Sequence, residues 1–317
     1  MPTIGLIGLG NAGRPIGERI LARGYTLTVY DLNPSSVENM VHRGALRAGS
    51  AREAVSDITL TVLPSSIEVR RAVFGEAGAF ETMQPGMTFI DLSGTDPDCS
   101  RELQRRLEAK QAAFLGGTIH ASGAPTMVIP QGQFTIAVGG KREIIDGCVD
   151  FLKELAQTII CLPEPWMPKA FKIAVIMYST ANNIATAEIC SWLTAQGADP
   201  KLFLQLLQTT GSQASAARME EFMKRNNNNG GALSNSYKDI RQALEVAAEL
   251  QIPMPLLSMA NQIQEMGRAS GFTRLNSPAA IGKLYELITG TDLSGATMNV
   301  DKKLPESRES RVIYLGD

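Results

Sequence analysis

The chain has 317 residues, is 44% hydrophobic and 20% charged, and carries a formal net charge of −2. That length suits two domains of ordinary size, and that balance belongs to a soluble globular protein. The charge offers no electrostatic footprint for nucleic acid or an anionic membrane, and the apolar runs are too short for a transmembrane helix.

The opening MPTIGLIGLG has no basic segment and no small-residue cleavage site, so no secretory leader is expected and a cytoplasmic location follows. Short β-branched runs at residues 3–8, 26–31, 58–63, 88–91, 113–115, 134–138 and 158–161 read as strands. Helical patterns such as 12–23, 35–42 and 97–110 lie between them, and that alternation predicts parallel pairing. From Pro168 the strand signal disappears. A helix is expected from Pro168 to about Gln196, another from Asp199-Pro200, and more over 213–225, 237–250, 255–270 and 278–288. Residues 226–231 read as a mobile polar loop, and the chain after Gly290 as a tail that is strongly charged across 301–311.

Cys99, Cys148, Cys161 and Cys190 form no CxxC pair, and His42 and His120 are the only histidines. Reduced thiols and no metal site are the expectation.

Gly8-Leu9-Gly10-Asn11-Ala12-Gly13 follows an apolar strand and opens a helix. In such a turn Gly8 allows the bend, Gly10 lets backbone approach a pyrophosphate, and Gly13 lets helix and strand pack closely. The phosphates would sit on free amides at the positive end of the helix. Asp31 ends the second strand, where a carboxylate accepts from ribose hydroxyls and repels a 2′-phosphate, and no arginine follows closely. NAD is therefore the expected cofactor. The fold class is an α/β Rossmann-type N-terminal domain with an all-α C-terminal domain: residues 1–164 bind dinucleotide, 165–294 form a helical substrate and dimerisation domain, and 295–317 are the tail.

With these motifs on view, residues 3–294 resemble the β-hydroxyacid dehydrogenases, the family of 3-hydroxyisobutyrate dehydrogenase and tartronate semialdehyde reductase, with a helical domain like that of 6-phosphogluconate dehydrogenase. The likeness rests on GLIGLGNAGRPIG, on Leu63-Pro64 after the third strand and on Asp91-Leu92-Ser93-Gly94-Thr95-Asp96-Pro97 after the fourth. Farther on it rests on Thr186-Ala187-Glu188, Gly197-Ala198-Asp199-Pro200 and Lys238-Asp239. It implies that Lys172 is the catalytic general acid/base and that Gly8, Gly10, Asn11, Ala12, Gly13, Asp31, Leu63, Pro64, Thr95 and Lys238 bind cofactor. Ser93, Ser122, Gly123 and His120 would bind substrate; Ser122 aligns with the family's serine, and His120 is the other candidate for that place. A homodimer or homotetramer acting on a small hydroxy acid is implied too.

Two departures concern the substrate. Ile176 stands where the family has an asparagine one turn after the lysine, and the stretch Gly116 to Ala124 is two or three residues longer than usual. Among Phe171, Ile173, Ala174, Val175 and Ile176, Lys172 is expected to be desolvated and less well oriented. Lys169, one turn earlier, competes for the catalytic place. Asn182-Asn183 is too far along the helix to replace the lost asparagine and is read as an interhelical hydrogen-bonding pair. The alternatives to a dehydrogenase are an imine reductase of the same plan and a dinucleotide-binding protein without turnover, the latter kept open by Ile176.

Overall fold

The computed structural model describes residues 1–121, 125–224, 231–291 and 293. Ser122, Gly123, the polar segment 226–230 and the charged stretch 301–311 lie outside the described residues. The chain divides into two compact units, Met1–Lys172 and Ile173–Asp317.

The first unit runs β1 (Ile4–Ile7), α1 (Gly13–Ala22), β2 (Leu27–Tyr30), α2 (Pro34–Val41), β3 (Leu46–Arg47), β4 (Ile58–Thr61), α3 (Ser66–Phe74) and β5 (Thr88–Asp91). It continues through α4 (Pro97–Ala109), β6 (Ala113–His120), α5 (Pro125–Val128), β7 (Thr135–Gly139), α6 (Arg142–Leu155) and β8 (Thr158–Leu162) to the start of α7 (Met167–Ala195). The eight strands form one sheet in the order β3-β2-β1-β4-β5-β6-β7-β8. β1 pairs in parallel with both β2 and β4, so the chain reverses its direction of travel across the sheet there. In a doubly wound sheet the crevice at that reversal, outside the carboxyl ends of the strands, is where ligands bind.

Both faces of the sheet are covered. Ile4 and Leu6 of β1 enter one core with Ile16 and Ile20 of α1 and Phe151 and Leu152 of α6. Ile7 enters the other with Val69 of α3 and Leu103 of α4. This double burial is why the central strands read as continuous apolar runs. Helix starts follow a recurring Asx-Pro rule: Asn33, Asp96 and Asp199 cap α2, α4 and α8 (Pro200–Thr209), accepting from the amides of Ser35, Cys99 and Lys201, with proline next in line.

The expectation of parallel pairing fails at one place. β6 and β7 are antiparallel, with Gly116 opposite Gly139 and His120 opposite Thr135. Among the described residues between these strands the one helix is α5, whose four residues are too few to return the chain to the starting edge, and it doubles back. β6 also runs to His120, five residues beyond the predicted strand end at Leu115, which puts Gly116 and Gly117 in the sheet rather than in a loop.

The second unit contains the remainder of α7 with α8, α9 (Gln213–Lys224), α10 (Leu233–Glu249), α11 (Pro255–Ala269) and α12 (Ser277–Thr289). Its core holds Ile184, Ala187, Leu204, Phe222, Ile240 and Ile281, and Ile176 packs against it. Glu188 of α7 accepts from the Tyr285 hydroxyl of α12 at 2.8 Å. Asn182 does not bridge helices: its side-chain amide donates to the Tyr178 carbonyl of its own helix at 2.6 Å. No helix among the described residues is long and apolar enough to cross a membrane.

Candidate active site

The turn from β1 to α1 has the geometry its glycines imply. Gly8 sits at φ +100, and a Cβ there would strike the Val62 carbonyl, so only glycine suits the bend. A Cβ on Gly13 would collide with the Gly8 carbonyl, which is how helix and strand come so close. Gly10 differs, because a Cβ there would meet nothing within 4 Å. α1 begins with no side-chain cap and no acidic residue in its first turn. Gly10 and Asn11 are exposed and Ala12 is partly so, leaving a positive helix end open toward solvent.

Asp31 follows β2 directly. Its Oδ2 accepts from the Leu9 amide at 2.6 Å and its Oδ1 from the Asn33 amide at 2.7 Å. The carboxylate is thereby fixed beside the glycine turn, with a further lone pair on each oxygen.

The loops after β4 and β5 are clipped together. The Leu63 amide donates to Ser93 Oγ at 2.9 Å, and the Gly94 amide donates to the Leu63 carbonyl at 2.9 Å. Ser66 of α3 bonds to Asp96, the cap of α4, which joins the same loops a second time.

Beneath them lies an arrangement the sequence did not reveal. Asp91 and Lys169 form an ion pair at 3.0 Å with both side chains 0% exposed. Asp91 Oδ1 accepts from the Thr61 hydroxyl at 2.9 Å and the Ser93 amide at 3.0 Å, and Oδ2 from the Thr95 hydroxyl at 2.8 Å. Lys169 Nζ also donates to the carbonyls of Asp91 (3.1 Å), Ser93 (2.9 Å) and Gly117 (2.6 Å). Burial opposes ionisation of Asp91, but the ammonium of Lys169 and the bonds from Ser93, Lys169 and Thr95 outweigh it and hold the carboxyl below its usual range. Partners 78 residues apart leave no local spacing signal; the one available hint is a lysine directly after an apolar Trp166-Met167-Pro168 run.

Lys172, one turn along α7, is partly buried, and its charge is felt at His120. His120 ends β6 with its Nε2 2.9 Å from the Thr118 hydroxyl. Burial first, and Lys172 second, push the His120 pKa below 6.5. Lys172 was expected to be desolvated and is partly buried; Lys169 is the lysine whose side chain is fully enclosed. Lys238, on α10 in the second unit, is half exposed with its Nζ 3.5 Å from Asp239.

Two families account for most of the chain: the NAD binding domain of 6-phosphogluconate dehydrogenase over residues 3–163 and the NAD-binding region of NADP-dependent 3-hydroxyisobutyrate dehydrogenase over 168–284. The chain is 29% identical to 2-(hydroxymethyl)glutarate dehydrogenase of Eubacterium barkeri, over 92% of its own length and 97% of that protein's. It is 27% identical to human mitochondrial 3-hydroxyisobutyrate dehydrogenase (86% and 83% covered) and 25% identical to Escherichia coli 3-sulfolactaldehyde reductase (86% and 92%). The fold superposes on Mycobacterium tuberculosis 3-hydroxyisobutyrate dehydrogenase with L-serine at a TM-score of 0.78, with 23% identity and coverage of 90% and 99%.

Proposed function

Since the chain belongs to the β-hydroxyacid dehydrogenase family, we propose that it interconverts a small β-hydroxy acid and its semialdehyde or keto acid by hydride transfer to and from NAD. The observation that carries this reading is the bare Gly10 turn at the uncapped start of α1, with Asp31 fixed beside it.

The pyrophosphate would rest on the amides around Gly8, Gly10, Asn11, Ala12 and Gly13. Asp31 would accept from the adenosine ribose hydroxyls, and its charge would oppose a 2′-phosphate. Leu63, Pro64 and Thr95 belong to the paired loops after β4 and β5 and would line the same cleft; Lys238 is the proposed contact from the helical unit. Bound NAD supplies the hydride acceptor.

Lys172 is the proposed proton-transfer group. In oxidation its neutral amine takes the hydroxyl proton as the carbinol hydrogen leaves with its electron pair; in reduction the ammonium returns that proton to the new alkoxide. Lys169, the competitor, supports this choice by its own position: its ammonium is 0% exposed and already faces four oxygens inside the protein. Ser93, Ser122, Gly123 and His120 are the proposed substrate contacts, with His120 offering a hydrogen bond rather than a charge at neutral pH. Exposed apolar side chains of the helical unit, among them Trp192, Leu256 and Met259, support self-association as a homodimer or homotetramer.

Steady-state kinetics over a panel of short 3-hydroxy acids and semialdehyde acids test the reading. Lys172→Ala should lower kcat by about 10²–10⁴-fold while NADH affinity stays put, and NADH should bind more tightly than NADPH until Asp31 is replaced by alanine. Wild-type turnover by the Lys172→Ala protein would remove the lysine from the mechanism.

A further inference from the structure

The structure assigns Lys169 as a positioning residue: its sealed ion pair with Asp91 fixes the rotation of the first turn of α7 and so aims Lys172. This rests on reading Lys172 as the proton-transfer group.

The pair is complete. Asp91 receives Thr61, Ser93 and Thr95 along with the ammonium, and Lys169 faces three main-chain carbonyls besides the carboxylate. Stability alone is a poor explanation, because an apolar pair of similar volume commonly holds two elements at least as firmly as a buried ion pair. An apolar contact is non-directional, whereas these bonds converge on one ammonium from the end of β5, the loop behind it and the middle of β6. They specify how α7 is turned about its axis, as well as how near it lies.

The chain leading into α7 is held flush against the sheet. A Cβ on Gly116 would collide with the Pro165 carbonyl and one on Gly139 with the Glu164 carbonyl, so residues 164–165 lie directly on β6 and β7. Its closeness is set by that backbone contact, and rotation is the freedom left for Lys169 to fix. Lys172 lies three residues on, about 4.5 Å along the axis and about 60° around it. A rotation of about 10° there moves a lysine Nζ by about 1 Å. Misplacement of that size costs on the order of 10²-fold in rate.

The test compares Lys169→Met, the double variant Lys169→Met with Asp91→Asn, and Lys172→Ala. The single variant strands a buried carboxylate and tests folding as much as function; the double variant removes both charges together. Four quantities are read: thermal midpoint, NADH dissociation constant, kcat against KM, and the rate at which a mild acylating reagent modifies Lys172, mapped by peptide mass spectrometry. The expected result is a folded double variant that binds NADH within about twofold of wild type, with kcat down by about 10²-fold at little-changed KM. Its Lys172 acylation rate should shift several-fold, a readout that needs no substrate. A folded double variant with wild-type kcat and wild-type acylation overturns the inference. So does a double variant that cannot fold, since the pair would then act on global stability. If Lys172→Ala keeps full activity, the lysine reading falls and this inference with it; if Lys172→Ala is inactive while the double variant is unaffected, only the inference falls.

Discussion

His120 and Lys172 report on each other. The His120 imidazole is held below its ordinary pKa first by burial and then by the Lys172 charge, so removing the charge should undo part of the shift and leave the rest. Two histidines in the chain make this measurable by NMR, with His42, whose side chain is 74% exposed, as the second resonance. Titrating the imidazole signals of wild type and Lys172→Met, we expect the His120 midpoint to rise in the variant yet stay under 6.5. An unchanged midpoint would mean that Lys172 does not face the end of β6. At this scale the sequence was a partial guide. Gly8, Gly13 and Asp31 could be placed from spacing, because their roles are local: a bend, a close approach, a strand end. The Asp91–Lys169 pair could not, because its partners come together only when β5, β6 and α7 do. Ser93 and Thr95, proposed as ligand groups, also hydrogen-bond within the fold, Ser93 to Leu63 and Thr95 to Asp91, which their spacing did not indicate.

Among the elements, the β1–α1 turn separates folding from binding within six residues. Gly13 has no space for a side chain and Gly10 has nothing but space. Gly10→Val should therefore fold with a thermal midpoint near wild type and lose NADH binding by about 10²-fold or more, the side chain occupying the place of the phosphates. Gly13→Val should destabilise the fold by about 1–3 kcal/mol or more through overpacking against Gly8. Calorimetry and NADH fluorescence titration read both, and a Gly10→Val protein with native affinity would take the dinucleotide away from this turn. Apolar runs, amphipathic stretches and the Asp199-Pro200 start made most strands and helices legible. The direction of β7 was not, since period and propensity carry no information about which way a strand runs. Only the shortness of the 121–134 connection could have flagged it.

For the whole molecule, the α/β unit followed by a helical unit was legible from the end of the strand signal near Pro168. The chemistry follows from placement: the carboxyl ends of β1, β2, β4, β5 and β6 gather the glycine turn, Asp31, the Leu63–Pro64 and Ser93–Thr95 loops and His120 at one side of the sheet. The identity of the substrate was not legible, because the stretch Gly116 to Ala124 departs from family length and gives the sequence no template. The most direct measurement of the central claim is isotope transfer: NADH deuterated at the transferable C4 position, incubated with a short semialdehyde acid and the wild-type protein, with the product hydroxy acid analysed by mass spectrometry. One deuterium is expected on the new carbinol carbon of at least one member of the panel. Saturating NADH with no deuterium reaching any member, or failure of NADH to bind at all, would contradict it.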